Sequence, residues 1–198
     1  RHADVSGAGH GSEMSYANVR NIRIAGQVAA PADQLSLTSI RANLLGGEVA
    51  GTAETKGSDT YRLSGRISGF GVRSLAALRT SKQIPYDGKV SGTVEATGRI
   101  RDISRRGLAQ ASAQLAIAGP DANGEISAQY HNSRLEIAHS WIQLPASRMD
   151  VSGTLGSSLD VKLESRDLND FLPLLDGRDM PVALKEGSAT FTGTVTGG

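Results

Sequence analysis

The 198 residues carry 21 Lys and Arg against 20 Asp and Glu, a formal net charge of +1, and no cysteine. Disulfides and thiolate metal sites are excluded, and charges so balanced and scattered do not make the basic, aromatic-interleaved patch of a nucleic-acid binder. A hydrophobic fraction of 38% with 4% aromatics leaves few large anchors for a compact core, and no apolar run approaches the ~20 residues of a membrane-spanning helix.

The length fits one large β-domain or two small ones. The chain opens at Arg1 without a Met and closes on Gly197-Gly198 just after a strand-like run, so it reads as a piece of something longer. Among its Phe, Tyr and Trp residues, Phe171 and Trp141 alone stand in strongly apolar surroundings.

Alternation of apolar and polar residues, the period of a half-buried strand, recurs at 3–9, 22–28, 35–44, 48–55, 60–68, 88–98, 108–118, 125–130, 135–144, 149–155, 159–165 and 187–196. Turn chemistry joins the runs at Pro31-Ala32-Asp33, Gly46-Gly47, Lys56-Gly57-Ser58-Asp59, Pro120 through Gly124 and His131-Asn132-Ser133. Asn123-Gly124 is the strongest of these, because both residues tolerate the positive φ of a tight hairpin. Short runs and short turns predict an antiparallel meander. Two segments depart from the alternation. Val72 to Leu78 and Leu168 to Leu175 space apolar residues by three and four, which predicts short helices near 72–81 and 168–176.

An apolar–small–Gly triplet keeps returning, as in Val49-Ala50-Gly51, Leu63-Ser64-Gly65, Ile67-Ser68-Gly69, Val90-Ser91-Gly92 and Val151-Ser152-Gly153. Glycine inside a strand marks a bulge, a bend or the close approach of another backbone. Its repetition predicts a long, curved sheet with shallow inward positions.

The order of elements repeats after roughly 100 residues. Leu35-Ser36-Leu37 through Glu48-Val49-Ala50-Gly51-Thr52 matches Leu135-Glu136-Ile137 through Asp150-Val151-Ser152-Gly153-Thr154. Further strand, helix and linker follow in each copy, then Gly88 to Val94 or Gly187 to Val195. Residues 1–98 form a first unit, partial at its N-terminus, and 99–198 a second, the two expected to share one sheet.

Within the runs, apolar residues keep to one side. Ala109, Ala111, Ala113, Leu115 and Ile117 oppose Gln110, Ser112 and Gln114. Val90 and Val94, Ile126 and Ala128, Leu135 and Ile137, Val151, and Leu159, Val161 and Leu163 follow the same pattern. About twelve strands at ~4.8 Å spacing present on the order of 1,000 Å² of apolar face, more than soluble monomers leave bare. Such a sheet closes as a sandwich, curls into a trough for an apolar ligand, or packs on a partner. Large interdigitating residues favour a sandwich, whereas this face is rich in Ala, Gly and Thr.

The passage from Leu35-x-Leu37 to Gly46-Gly47-Glu48-Val49-Ala50-Gly51-Thr52, and Leu159-Asp160-Val161-Lys162-Leu163 leading into Asp167-Leu168-Asn169-Asp170-Phe171, resemble the AsmA-like/TamB family of bacterial envelope proteins. The resemblance implies a long U-shaped sheet, a β-taco, with a continuous apolar groove for phospholipid acyl chains. It further implies a periplasm-spanning protein held to the inner membrane by an N-terminal helix. Its implied tasks are phospholipid transport toward the outer membrane and, for TamB itself, assembly of outer-membrane proteins with a barrel partner of the TamA type. The groove candidates are then the fifteen residues just named on the apolar face.

No catalytic constellation competes with this reading. Gly7-Ala8-Gly9-His10-Gly11-Ser12 lacks the following helix that a phosphate cradle needs, since Ser15-Tyr16-Ala17-Asn18-Val19 does not read as one. His2, His10, His131 and His139 lack ligand spacing, no Gly-x-Ser-x-Gly elbow occurs, and Asp176 and Asp179 fall in a polar loop. No enzyme, cofactor or metal is expected, and no nucleic-acid partner. The alternative is a structural or adhesive β-repeat of a surface protein without a ligand.

Overall fold

The structure, a computed structural model, describes residues 35–57, 59–78, 84–100, 110–167, 170 and 187–196, with the backbone of 23–29. These residues form one open, eleven-stranded sheet whose strands neighbour one another in chain order. The strands are β1 (Arg23–Ala29), β2 (Ser36–Leu44), β3 (Gly47–Lys56), β4 (Thr60–Gly71), β5 (Lys89–Arg99), β6 (Gln110–Ala118), β7 (Asn123–His131), β8 (Arg134–Gln143), β9 (Ser147–Thr154), β10 (Ser158–Ser165) and β11 (Ala189–Thr196). Every neighbouring pair is antiparallel. The sheet is thus a meander, not two stacked sheets.

Eleven of the expected runs match these strands, and the run at 3–9 lies outside the described residues. The short helix α1 (Val72–Ala76) occupies the first half of the segment expected to be helical at 72–81. The helix expected at 168–176 lies outside the described residues except for Asp170.

Two turns differ from expectation. The β2–β3 hairpin turns on Leu45 and Gly46 (φ 51° and 77°), so Gly47 already belongs to β3. Asn123 and Gly124 are not a turn but the start of β7. Asn123 instead clasps the preceding loop with its amide: Nδ2 donates to the Gly119 carbonyl at 3.0 Å, and Oδ1 accepts from the Gly119 N–H at 3.4 Å. Gly124 is required for space, because a Cβ would lie 2.5 Å from the Trp141 carbonyl oxygen.

Register shifts reset which residues face inward. In β4 the shift falls between Ile67 and Phe70, where Gly69 takes φ 72°, so an odd series ending at Ile67 continues as Phe70. In β8 it falls between Ile137 and Ser140. Leu135, Ile137, Ser140 and Ile142 consequently share the inner face. Trp141 therefore stands on the outer face, not in an apolar setting, with the Arg148 guanidinium 4.7 Å above its ring. The buried apolar anchors include Tyr61, Phe70, Ile84, Tyr86 and Val90 instead.

The ladders of the two halves coincide in detail. Leu37 pairs with Ala53 and Ile40 with Gly51, while Ile137 pairs with Gly153 and Ser140 with Val151. Thr55 donates its N–H to the Leu35 carbonyl as Leu155 does to that of Leu135, both at 2.8 Å. Gly51 and Val151 thus hold like pairing positions on β3 and β9.

Candidate functional site

Through β2 to β11, the register leaves no charged side chain at an inward position. Each odd–even choice of the sequence, together with each bulge, keeps the charges outside. There Arg148 grips Asp150 through Nε and Nη2 at 3.1 and 3.0 Å. That hydrogen bond holds the Asp150 carboxyl below its usual range. Lys162 Nζ meets Glu164 Oε1 at 2.8 Å, and Thr194 donates to Asp160 at 2.7 Å.

Against the inner face lies a hollow of about 420 Å³. Its walls include Ile40, Val49, Leu63, Val94, Ala96, Ala111, Ala113, Ala128, Tyr130 and Leu135, with Gly51 and Gly65 paired across the β3–β4 ladder. Ile40 on β2 and Leu135 on β8 touch the same hollow although six strand spacings, about 29 Å on a flat sheet, separate their strands. Among the described residues, nothing covers the inner face over the hollow. Leu63 is 42% exposed, and Phe191 and Val195 on the edge strand β11 are 47% and 52% exposed.

Small residues make this hollow possible. Ala111, Ala113 and Ala128 bring little side chain above the sheet, and Gly51 and Gly65 bring none. A Cβ at Gly92 would collide with the Gln114 carbonyl oxygen and stand 2.8 Å from Leu115 Cα. That glycine, one row beyond the hollow, permits the close approach of β5 and β6.

Of the expected groove residues, Val94, Ala111, Ala113, Ala128 and Leu135 line the hollow. Leu115, Ile126 and Ile137 are half-buried on the same face beside it, and Val90 is buried. Ile117 lines a second, smaller cavity. Val151, Leu159, Val161 and Leu163 continue the face across β9 and β10, away from the hollow. Ala109 lies outside the described residues. Sequence reasoning missed Ile40, Val49 and Leu63, although the parity of Val49 with Gly51 and of Leu63 with Gly65 carried the same signal as Val90 with Gly92.

The second cavity, about 160 Å³, sits where the α1–β5 connection crosses one end of the inner face. Arg73 of α1 holds that connection, donating through Nε to the Tyr86 carbonyl at 3.2 Å and through Nη2 to that of Pro85 at 2.9 Å. The buried Tyr86 hydroxyl donates to the Asp170 carbonyl at 2.6 Å and lies 3.2 Å from its Oδ1. Burial, then the nearby Asp170 carboxylate, pushes the phenol up to about 12. Asp170 Oδ2 in turn accepts the Ala146 N–H at 3.0 Å. One end of the face is thereby tied across from β5 to β10.

Among the described residues, no group of three or more His, Asp or Glu side chains is placed to hold a metal ion. No described helix is long and apolar enough to cross a membrane. Comparison with family models, curated proteins and solved structures gave no match.

Proposed function

We propose that this chain is a segment of a periplasm-spanning lipid-transfer protein of the AsmA-like/TamB type, anchored to the inner membrane in its full length. Its inner face shelters phospholipid acyl chains on their way between membranes, and a barrel protein of the outer membrane is its partner in assembly. The observation that carries this reading is the combination of an open apolar hollow with an inner register free of charge. Acyl chains need a dry surface with weak contacts, so that they slide and do not lodge. Alanine and glycine supply such a surface, whereas deep aromatic pockets would trap the cargo.

Two further observations support the fuller picture of a taco-like trough built from repeats. A hollow touched by both β2 and β8 is what a sheet curled around its inner face produces. Bulges at 37/40 and 137/140, with the same cross-strand pairs around them, are what two copies of one unit produce.

A charge inside the hollow tests the reading. Ala113→Asp puts a carboxylate at the hollow, and Gln114→Asp puts one on the exposed outer face of the same strand. Against acyl chains the inner carboxylate must be desolvated or protonated, at a cost of several kcal/mol; in a lipid-free hollow it is hydrated. Ala113→Asp should lose bound phospholipid with a modest fall in melting temperature, and Gln114→Asp should change neither. Equal lipid content in both variants would refute the proposal in favour of a ligand-free structural or adhesive repeat.

A further inference from the structure

The smaller cavity lies one ladder row beyond the hollow. Gly92, Leu115 and Ile126 form that row in register, and past it Ile117 opens into a chamber closed by Val72, Ile84, Tyr86, Ile142 and Met149. Both hydroxyl-bearing lining residues are already engaged: Ser147 Oγ lies 2.8 Å from Ser165 Oγ, and the Tyr86 hydroxyl donates to the Asp170 carbonyl at 2.6 Å. No buried side-chain polar atom among the described residues lacks a partner. A water in the chamber would find almost nothing to bond, and a water needs two to four polar partners. At about 160 Å³ the space matches the dry, apolar-lined cavities of about 150 Å³ that take up benzene or xenon.

We propose that this chamber is a chain-end subsite: it receives the methyl end of an acyl chain whose remainder lies in the hollow. The inference rests on the lipid reading above and adds a polarity to it. The Tyr86–Asp170 tie closes the chamber behind the chain end, so the headgroup side faces the opposite rim, where Leu135 and Tyr130 line the hollow. Among the described residues nothing charged lines the chamber and no buried side-chain polar atom lacks a partner, which suits a terminal methyl and rejects a carboxylate or phosphate.

The chain has three methionines, Met14, Met149 and Met180, and Met149 lines the chamber. With methyl-labelled methionine, its signal reports on the subsite directly. Leu135→Met, a volume-conserving change, adds a reporter in the hollow. The probes are stearic acids carrying a nitroxide either near the methyl end or near the carboxyl end. The methyl-end label should broaden Met149 several-fold more than the carboxyl-end label, with the order reversed at Leu135→Met. Val72→Phe, which fills the chamber from α1, should remove the Met149 effect and keep that at Leu135→Met. Comparing the two labels on the otherwise unaltered chain decides the matter even if Val72→Phe unfolds. Broadening at Leu135→Met without preference at Met149 overturns the subsite and leaves the trough. Broadening at neither methyl overturns both.

Discussion

Gly92→Ala and Gly65→Ala add the same methyl group to the inner face of adjacent strands, yet the structure assigns them opposite effects. At Gly65 the new Cβ meets Val94 Cγ2 at 3.4 Å and the Ala50 carbonyl at 3.6 Å, ordinary contact distances. The change restricts the unfolded chain and should stabilise by about 0.4–1 kcal/mol. At Gly92 the obstacles are backbone: the Gln114 carbonyl oxygen and Leu115 Cα. Backbone in a ladder cannot rotate aside, so β5 and β6 must part where Gly92 pairs with Leu115. Such overpacking costs about 1–3 kcal/mol, and weakening one or two ladder hydrogen bonds adds about 1 kcal/mol each. The two variants should therefore differ by roughly 2–6 kcal/mol, or on the order of 5–24 °C in melting temperature at this chain length. Urea titration reads the difference as a shift in midpoint at constant slope. Equal midpoints would refute the claim that glycine is there for backbone approach.

Two further perturbations test local features. Tyr86 should ionise near pH 12, not near 10, because burial and the Asp170 carboxylate both favour the neutral phenol. Its contribution to stability is then whole below about pH 10 and lost as pH rises through about 12. Phenolate absorbance of the parent chain minus that of Tyr86→Phe reads this directly, and a difference that titrates near 10 would contradict the tie to Asp170. Ser133→Gly should stabilise the β7–β8 hairpin by about 0.5–1 kcal/mol, since Ser133 holds φ 61° after Asn132 at 48°, and Asn-Gly suits such a turn. An unchanged or lower melting temperature would contradict it.

The strands were legible because half-buried strands alternate, and all eleven lie within three residues of the expected bounds. What alternation cannot report is where a bulge resets it. Read straight through, β8 places Leu135, Ile137, His139 and Trp141 on one side. The shift between Ile137 and Ser140 brings Ser140 and Ile142 inward and turns Trp141 out. The cost of burying Ser140 is met by its Oγ, which bonds the Ser127 N–H at 3.0 Å and the Ala138 carbonyl at 3.0 Å. Asn123 misled for a related reason. Its amide serves the turn from within a strand, and a dipeptide pattern does not distinguish a side-chain clasp from a positive φ. The chamber was invisible in the sequence because Ile84 and Tyr86 sit in a connection without periodicity, and their partner Asp170 is 84 residues from Tyr86.

Native mass spectrometry of the chain purified without detergent bears most directly on whether the inner face carries lipid. Protein ions should carry attached phospholipid, released as intact lipid on activation and depleted in Ala113→Asp. Protein ions free of phospholipid, from material that is folded and keeps its melting transition, would contradict it.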